Sequence, residues 1–142
     1  MKGLAPFRAA ILSVGSELTS GRTLDTNAAF LAGGVRRLGG RVDEVRALPD
    51  ELPAMVQAIR AMARGRRLLL VTGGLGPTED DRTRQALARA SGRPLRLHAP
   101  CLAVIEERFR RAGRAMTPNN RVQALFPTGA FPLPNDRGTE PG

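Results

Sequence analysis

The chain has no tryptophan and no tyrosine, and aromatic residues make up only 4% of it. Rings for stacking bases are therefore scarce, which argues against an RNA or single-strand platform. The core must be assembled from Leu, Val, Ile and Ala. The single cysteine, Cys101, excludes an internal disulfide and a cysteine-rich zinc site. No apolar run approaches the roughly 20 residues that a membrane-spanning helix requires. Met1 to Phe7 carries one Lys and no long apolar stretch, so nothing there reads as a signal peptide. A cytoplasmic protein without a membrane partner is expected.

What is present fits one domain of 142 residues, 42% of them hydrophobic. The net charge of +9 invites a nucleic-acid reading. Yet every basic residue except Lys2 is arginine, scattered along the chain like a coding bias. The densest run, Arg108-Phe109-Arg110-Arg111, falls at the end of a predicted helix, where cations are favourable. A solvated helix face accounts for it.

Strand and helix signals alternate. Ala9–Val14 reads as a buried strand ending at Gly15. Asp25 or Thr26 can cap a helix through Phe30, Leu31, Val35 and Leu38, ending at Gly39-Gly40. Val42–Leu48 predicts a second strand. A helix over residues 51–63 follows, with Pro53 tolerated in its first turn. Leu68–Thr72 is a continuous apolar run suited to a sheet covered on both faces. After the glycine loop Gly73–Pro77, a helix is expected from Thr78 to about Ala90, and another over residues 100–112. This pattern predicts an α/β fold: a three-layer, open, mostly parallel sheet with helices on both faces.

In such folds ligands lie beyond the carboxyl ends of the strands. Three strand ends carry polar clusters: Gly15-Ser16-Glu17, Pro49-Asp50-Glu51, and Thr72 through Asp81. Gly73, Gly74 and Gly76 permit a tight turn and a close ligand approach, and a helix after them would supply free N–H groups to a phosphate. A plain tight turn is the alternative. The loop is neither a P-loop nor a dinucleotide fingerprint. Glu79, Asp80 and Asp81 beside a phosphate would require a divalent cation. Equally, Thr78-x-x-Asp81 has capping-box spacing, and Asp50 can serve as an N-cap. Glu17 has no capping role and stands as a site candidate. His98 reads as structural, and Cys101 as a small buried hydrophobe.

Val14–Leu18, Leu24–Asn27 and Thr72–Thr83 resemble the N-terminal domain of the competence-damage-inducible protein A family. Thr117-Pro118-Asn119-Asn120 with Gln123-Ala124, and Asn135-x-x-Gly138-Thr139-Glu140-Pro141-Gly142, extend the resemblance to the last residue. It implies a molybdopterin-binding-like fold and, in this branch, a metal-dependent ADP-ribose pyrophosphatase. On that resemblance Gly73, Gly74 and Gly76 would hold phosphate, with Thr72, Pro77 and Thr78 flanking it. Asp50 and Asp81 would place a divalent metal or activate water. Asn27, Asn119 and Asn120 would bind substrate through side-chain amides, alongside Glu17. Two departures stand out. Glu140 replaces the alanine of the usual Gly-Thr-Ala-Pro-Gly, and the chain stops where the family's module continues. An incomplete single domain over 1–142 is therefore expected, with an uncovered sheet edge through which copies could form a homo-oligomer. The alternatives to hydrolysis are a binding module for a pterin phosphate and an inactive remnant.

Overall fold

The computed structural model describes residues 6–142. Residues 1–5, and with them most of the segment read for a signal peptide, lie outside the described residues. The first strand, β1 (Phe7–Val14), is buried from Ala9 onward. Small and branched apolar side chains there suit a strand covered on both faces. A single helical turn, α1 (Ser16–Thr19), follows Gly15. Asp25 then caps α2 (Thr26–Arg37) by accepting the Ala28 N–H at 2.9 Å. Gly39, at φ 79°, turns the chain into β2 (Gly40–Leu48), which starts two residues earlier than the sequence pattern suggests.

β2 runs parallel to β1 with a shift in register. Ala9 pairs with Val42 and Ala10 with Glu44, so Asp43 is the extra residue of a bulge. Its side chain is only 8% exposed and meets Arg8 at 2.5 Å and Arg41 at 3.0 Å. The alternation that placed the strand's start at Val42 is broken by this bulge.

Helix α3 (Leu52–Ala63) carries Pro53 in its first turn, and β3 (Leu68–Thr72) pairs parallel to the other side of β1. The sheet order is β2-β1-β3. Ala10, Leu12 and Val14 pack against Leu52, Met55, Ala58, Ile59 and Met62 of α3 and Ala86 of α4 (Thr83–Ser91). Strand alternation turns Phe7, Ala9 and Ile11 to the opposite face. There α2 contributes buried Ala28 and Val35, and Phe7 and Val35 crowd Gly40. Helices thus flank the parallel sheet, as expected.

The remaining strands do not extend that sheet. β4 (Leu95–Leu97) and β5 (Leu125–Pro127) form a separate antiparallel pair. Between them, α5 (Ala99–Arg111) is capped by His98, whose Nδ1 accepts the Cys101 N–H at 3.2 Å. A 3₁₀ helix, Pro118–Ala124, leads into β5. Among the described residues no helix is long and apolar enough to cross a membrane.

Four expectations need correction. The helix after the glycine loop begins at Thr83, not Thr78, because Thr83 ties the loop down. Its N–H donates to the Gly74 carbonyl at 3.1 Å and its hydroxyl to the Gly73 carbonyl at 2.7 Å. Asp50 does not cap α3, whose N-cap is Glu51. Cys101 is half-buried rather than enclosed. The arginine run is not uniformly solvated. Arg110 and Arg111 pair with Glu107 at the surface, but Arg108 turns back to donate to the Asn135 carbonyl.

Candidate functional site

The three strand ends singled out in the sequence converge. Beyond the carboxyl ends of β1, β2 and β3 lies a cavity of about 520 Å³ whose lining includes Ser16, Glu17, Asp50, Gly73, Gly74 and Asp81. Gly15, Glu51 and Asp80 join them. A parallel sheet produces this convergence directly, since all three strands end on the same side.

Two of the candidate acids, Asp50 and Asp81, are each held by a neighbouring hydroxyl residue. Asp50 Oδ2 accepts the Ser16 N–H at 3.1 Å and the Ser16 hydroxyl at 3.2 Å, which fixes the end of β2 to the turn after β1. Asp81 Oδ2 accepts the Thr78 N–H at 2.9 Å and the Thr78 hydroxyl at 2.5 Å. The Thr78–Asp81 spacing therefore closes a capping-type bond, but on a loop that does not continue as helix. Burial pushes the Asp81 carboxyl up. The Thr78 hydroxyl and N–H, the Gly76 N–H and the Arg84 charge outweigh it and hold Asp81 below the usual carboxylate range.

This arrangement changes the reading of the glycine loop. The N–H groups of Gly76 and Thr78, expected to face a phosphate, are directed at Asp81 instead. Gly76 is required by that contact, since a Cβ there would lie 2.6 Å from Asp81 Oδ2. Gly73 and Gly74 are the loop residues that face the cavity. Both have positive φ, at 90° and 63°, and a Cβ on Gly73 would lie 2.0 Å from the Val14 carbonyl oxygen. A Cβ on Gly74 would lie 2.5 Å from the Thr83 hydroxyl oxygen, so both positions need glycine to pack against the strand end and the start of α4.

Asn27 and Thr72 line a smaller adjoining pocket of about 150 Å³, which shares Val14, Glu17 and Gly73 with the first. Asn27 Nδ2 donates weakly to the Thr72 hydroxyl at 3.5 Å. Thr23, Asp25 and Thr26 complete its polar wall. Pro77 stands in neither lining. Asn119 and Asn120 also stand apart, on the 3₁₀ helix. The Asn120 side chain is buried, and its oxygen accepts the N–H and hydroxyl of Thr117.

Among the described residues no three of His, Cys, Asp or Glu gather as a ligand set. A cation held here would draw on one or two carboxylates and take its other oxygens from substrate and water. That is how Mg²⁺ is usually bound beside phosphate. A second cavity, of about 420 Å³, lies between α5 and the C-terminal segment and is lined by Val104, Ile105, Leu133 and several prolines. It has the apolar walls but not the converging carboxylates and glycines, so the polar cavity is the stronger candidate.

Sequence reasoning missed Arg84. In the sequence it is one of many scattered arginines, yet it is 7% exposed and bridges the glycine loop to residues near Gly142. The usable signal was its place on the α4 stripe, at i, i+3 and i+4 with Leu87 and Ala88.

A fold of this type with its polar cavity at the strand ends defines a class. The family model described as "Probable molybdopterin binding domain" matches residues 10–139, and the chain is a domain of that class. Closer relatives narrow it. A CinA-like protein of an Anaeromyxobacter species is 44% identical over 137 residues, which cover 96% of this chain and 33% of the relative. The crystal structure of the protein CinA from Thermoplasma acidophilum superposes with a TM-score of 0.87 at 34% identity, over 95% of this chain and 79% of that one. The chain belongs to the CinA family. It spans about a third of the length of the curated relatives it matches. The tungsten cofactor synthesizing protein MoaB from Pyrococcus furiosus shares the fold, with a TM-score of 0.57 at 17% identity over 75% of this chain and 65% of that one.

Proposed function

We propose that this domain hydrolyses the diphosphate of ADP-ribose or a similar nucleotide with the help of a divalent metal ion. The observation that carries the reading is the convergence of Asp50 and Asp81 on the open backbone of Gly73 and Gly74. Asp50 and Asp81 are the residues that would hold the metal, which supplies charge neutralisation of the diphosphate and a lowered pKa for bound water.

The chain's own groups have separate tasks. Ser16 and Thr78 fix the two carboxylates in place before substrate arrives, so little ordering is left for the reacting complex. Gly73 and Gly74 admit a phosphate against the main chain. The polar pocket with Asn27 and Thr72 takes one end of the nucleotide. Water attacks one phosphorus and gives up a proton to solvent, the bridging P–O bond breaks, and the departing phosphate carries away the electron pair. The products are AMP and ribose phosphate.

A second reading is a pterin-phosphate binding module without hydrolysis. The description of the family model favours it. An ADP-ribose assay separates the two. Metal-dependent AMP release that falls at least about a hundredfold in Asp81→Asn supports the hydrolase. Folded wild-type protein that releases no AMP but binds a pterin phosphate replaces it with the second reading. Unchanged turnover in Asp81→Asn removes Asp81 from the chemistry.

A further inference from the structure

We propose that Arg84 is a positioning residue that fastens the glycine loop from behind to the C-terminal segment and so sets the shape of the site. This rests on the reading of the polar cavity as the ligand site. Arg84 lies in the first turn of α4 and is 7% exposed. One guanidinium nitrogen, Nη1, donates to the Leu75 carbonyl at 2.5 Å, between Gly74 and Gly76. The other, Nη2, donates to the Pro141 carbonyl at 2.8 Å. A single planar group therefore joins two segments that have no regular secondary structure.

The surroundings support the tie. The guanidinium carbon stands 5.7 Å from the centre of the Phe126 ring. Burial works against the Arg84 charge and holds its pKa below the ordinary value, with the charges of Glu140 and, less strongly, Asp81 only partly offsetting this. Gln123, fully buried on the 3₁₀ helix, donates to the Thr139 hydroxyl at 3.3 Å and to Glu140 Oε1 at 3.2 Å. Half-buried Glu140 thus joins a polar network behind the loop. Leu133 and Gly142 close the segment by exchanging backbone hydrogen bonds at 2.6 and 3.0 Å.

The loop needs such a tie. Gly73 and Gly74 both adopt left-handed backbone conformations and carry no side chain to pack. Their carbonyls are anchored by Thr83, and Leu75 is anchored by Arg84. Two bonds from one fork are a matter of geometry as well as charge. Lysine, a point charge on a flexible stem, cannot reproduce them.

The test compares the full chain with Arg84→Gln and Arg84→Lys by amide hydrogen exchange and by AMP release at saturating metal. Both variants are expected to lose protection at Gly76 and Thr78, whose N–H groups donate to Asp81, by roughly ten- to a hundredfold, the loss expected for a charged hydrogen bond. Protection within β1 should hold, and KM should rise about tenfold, with kcat less affected. Restoration of loop protection and KM by lysine would show that charge alone matters and overturn the proposal. Equal loss of protection in β1 and the loop would reduce Arg84 to a general stabiliser, and an unchanged KM with a loosened loop would also overturn it. Should wild type release no AMP, the hydrolase reading fails while hydrogen exchange still decides the role of Arg84.

Discussion

Replacing Gly73 by alanine tests the site's backbone most directly. Gly73 has φ 90°, and an added Cβ would lie 2.0 Å from the Val14 carbonyl oxygen and 3.0 Å from its carbonyl carbon. Val14 ends the central strand, so it cannot retreat without disturbing β1. Gly65 supplies an internal control, with φ 67° and nothing within 4 Å of its added Cβ. The left-handed conformation alone costs alanine roughly 1–2 kcal/mol. Gly65→Ala should therefore lose about 1 kcal/mol. Gly73→Ala adds a backbone collision of the overpacking kind, roughly 1–3 kcal/mol more. A total near 3 kcal/mol is a large fraction of the roughly 5–15 kcal/mol that holds a domain together. With no tryptophan or tyrosine to follow by fluorescence, urea unfolding is best read by far-ultraviolet circular dichroism. Equal losses in the two variants, within about 0.5 kcal/mol, would refute the claimed approach of Gly73 to β1.

Asp50→Asn keeps an oxygen for Ser16 and should fold, yet lose AMP release; wild-type turnover in this variant would take Asp50 out of the mechanism. The Arg8 hydrogen bond holds the Asp43 carboxyl below its usual range against the opposing effect of burial, with Arg41 helping. Because the folded value is depressed, Asp43 contributes stability above its unfolded pKa of about 4 and loses it as pH falls through the folded value. The urea midpoints of wild type and Asp43→Asn should therefore differ at neutral pH and converge in acid, and a gap independent of pH would refute this. Burial pushes the Cys101 thiol up, with the Arg84 charge only partly offsetting it. Iodoacetamide should accordingly react more slowly with Cys101 than with an unstructured cysteine peptide at mildly alkaline pH; a faster reaction would contradict the burial.

Features set by neighbours in sequence were readable in advance. Leu68–Thr72 is apolar throughout and became β3, and Asp25 stands three residues before the amide it caps. The gathering of Glu17, Asp50, Gly73, Gly74 and Asp81 followed from the rule that parallel strands end on one side. What escaped depended on distant partners. The helix was expected from Thr78 because the Thr78–Asp81 spacing suits a cap, but Thr83 reaches back to Gly73 and Gly74 and delays it. The place of Asp50 before a helix suits a cap, whereas it bonds Ser16 across the sheet. The bulge at Asp43 depends on the register with β1, which no local pattern encodes. Arg84 looks like any other arginine until its fork is seen to span Leu75 and Pro141.

The strand order also governs how the molecule comes into being. The strand made first occupies the middle of the sheet, and both its partners are made later. Pairing with Gly40–Leu48 can begin once that segment emerges, but the other edge of Ala9–Ser13 waits for Leu68–Thr72. Parallel pairing over such separations closes long loops before any contact repays them, and it is slow. A ribosome stalled between those two strands would present a half-built sheet with a bare apolar edge. In that intermediate aggregation competes with the folding of this domain.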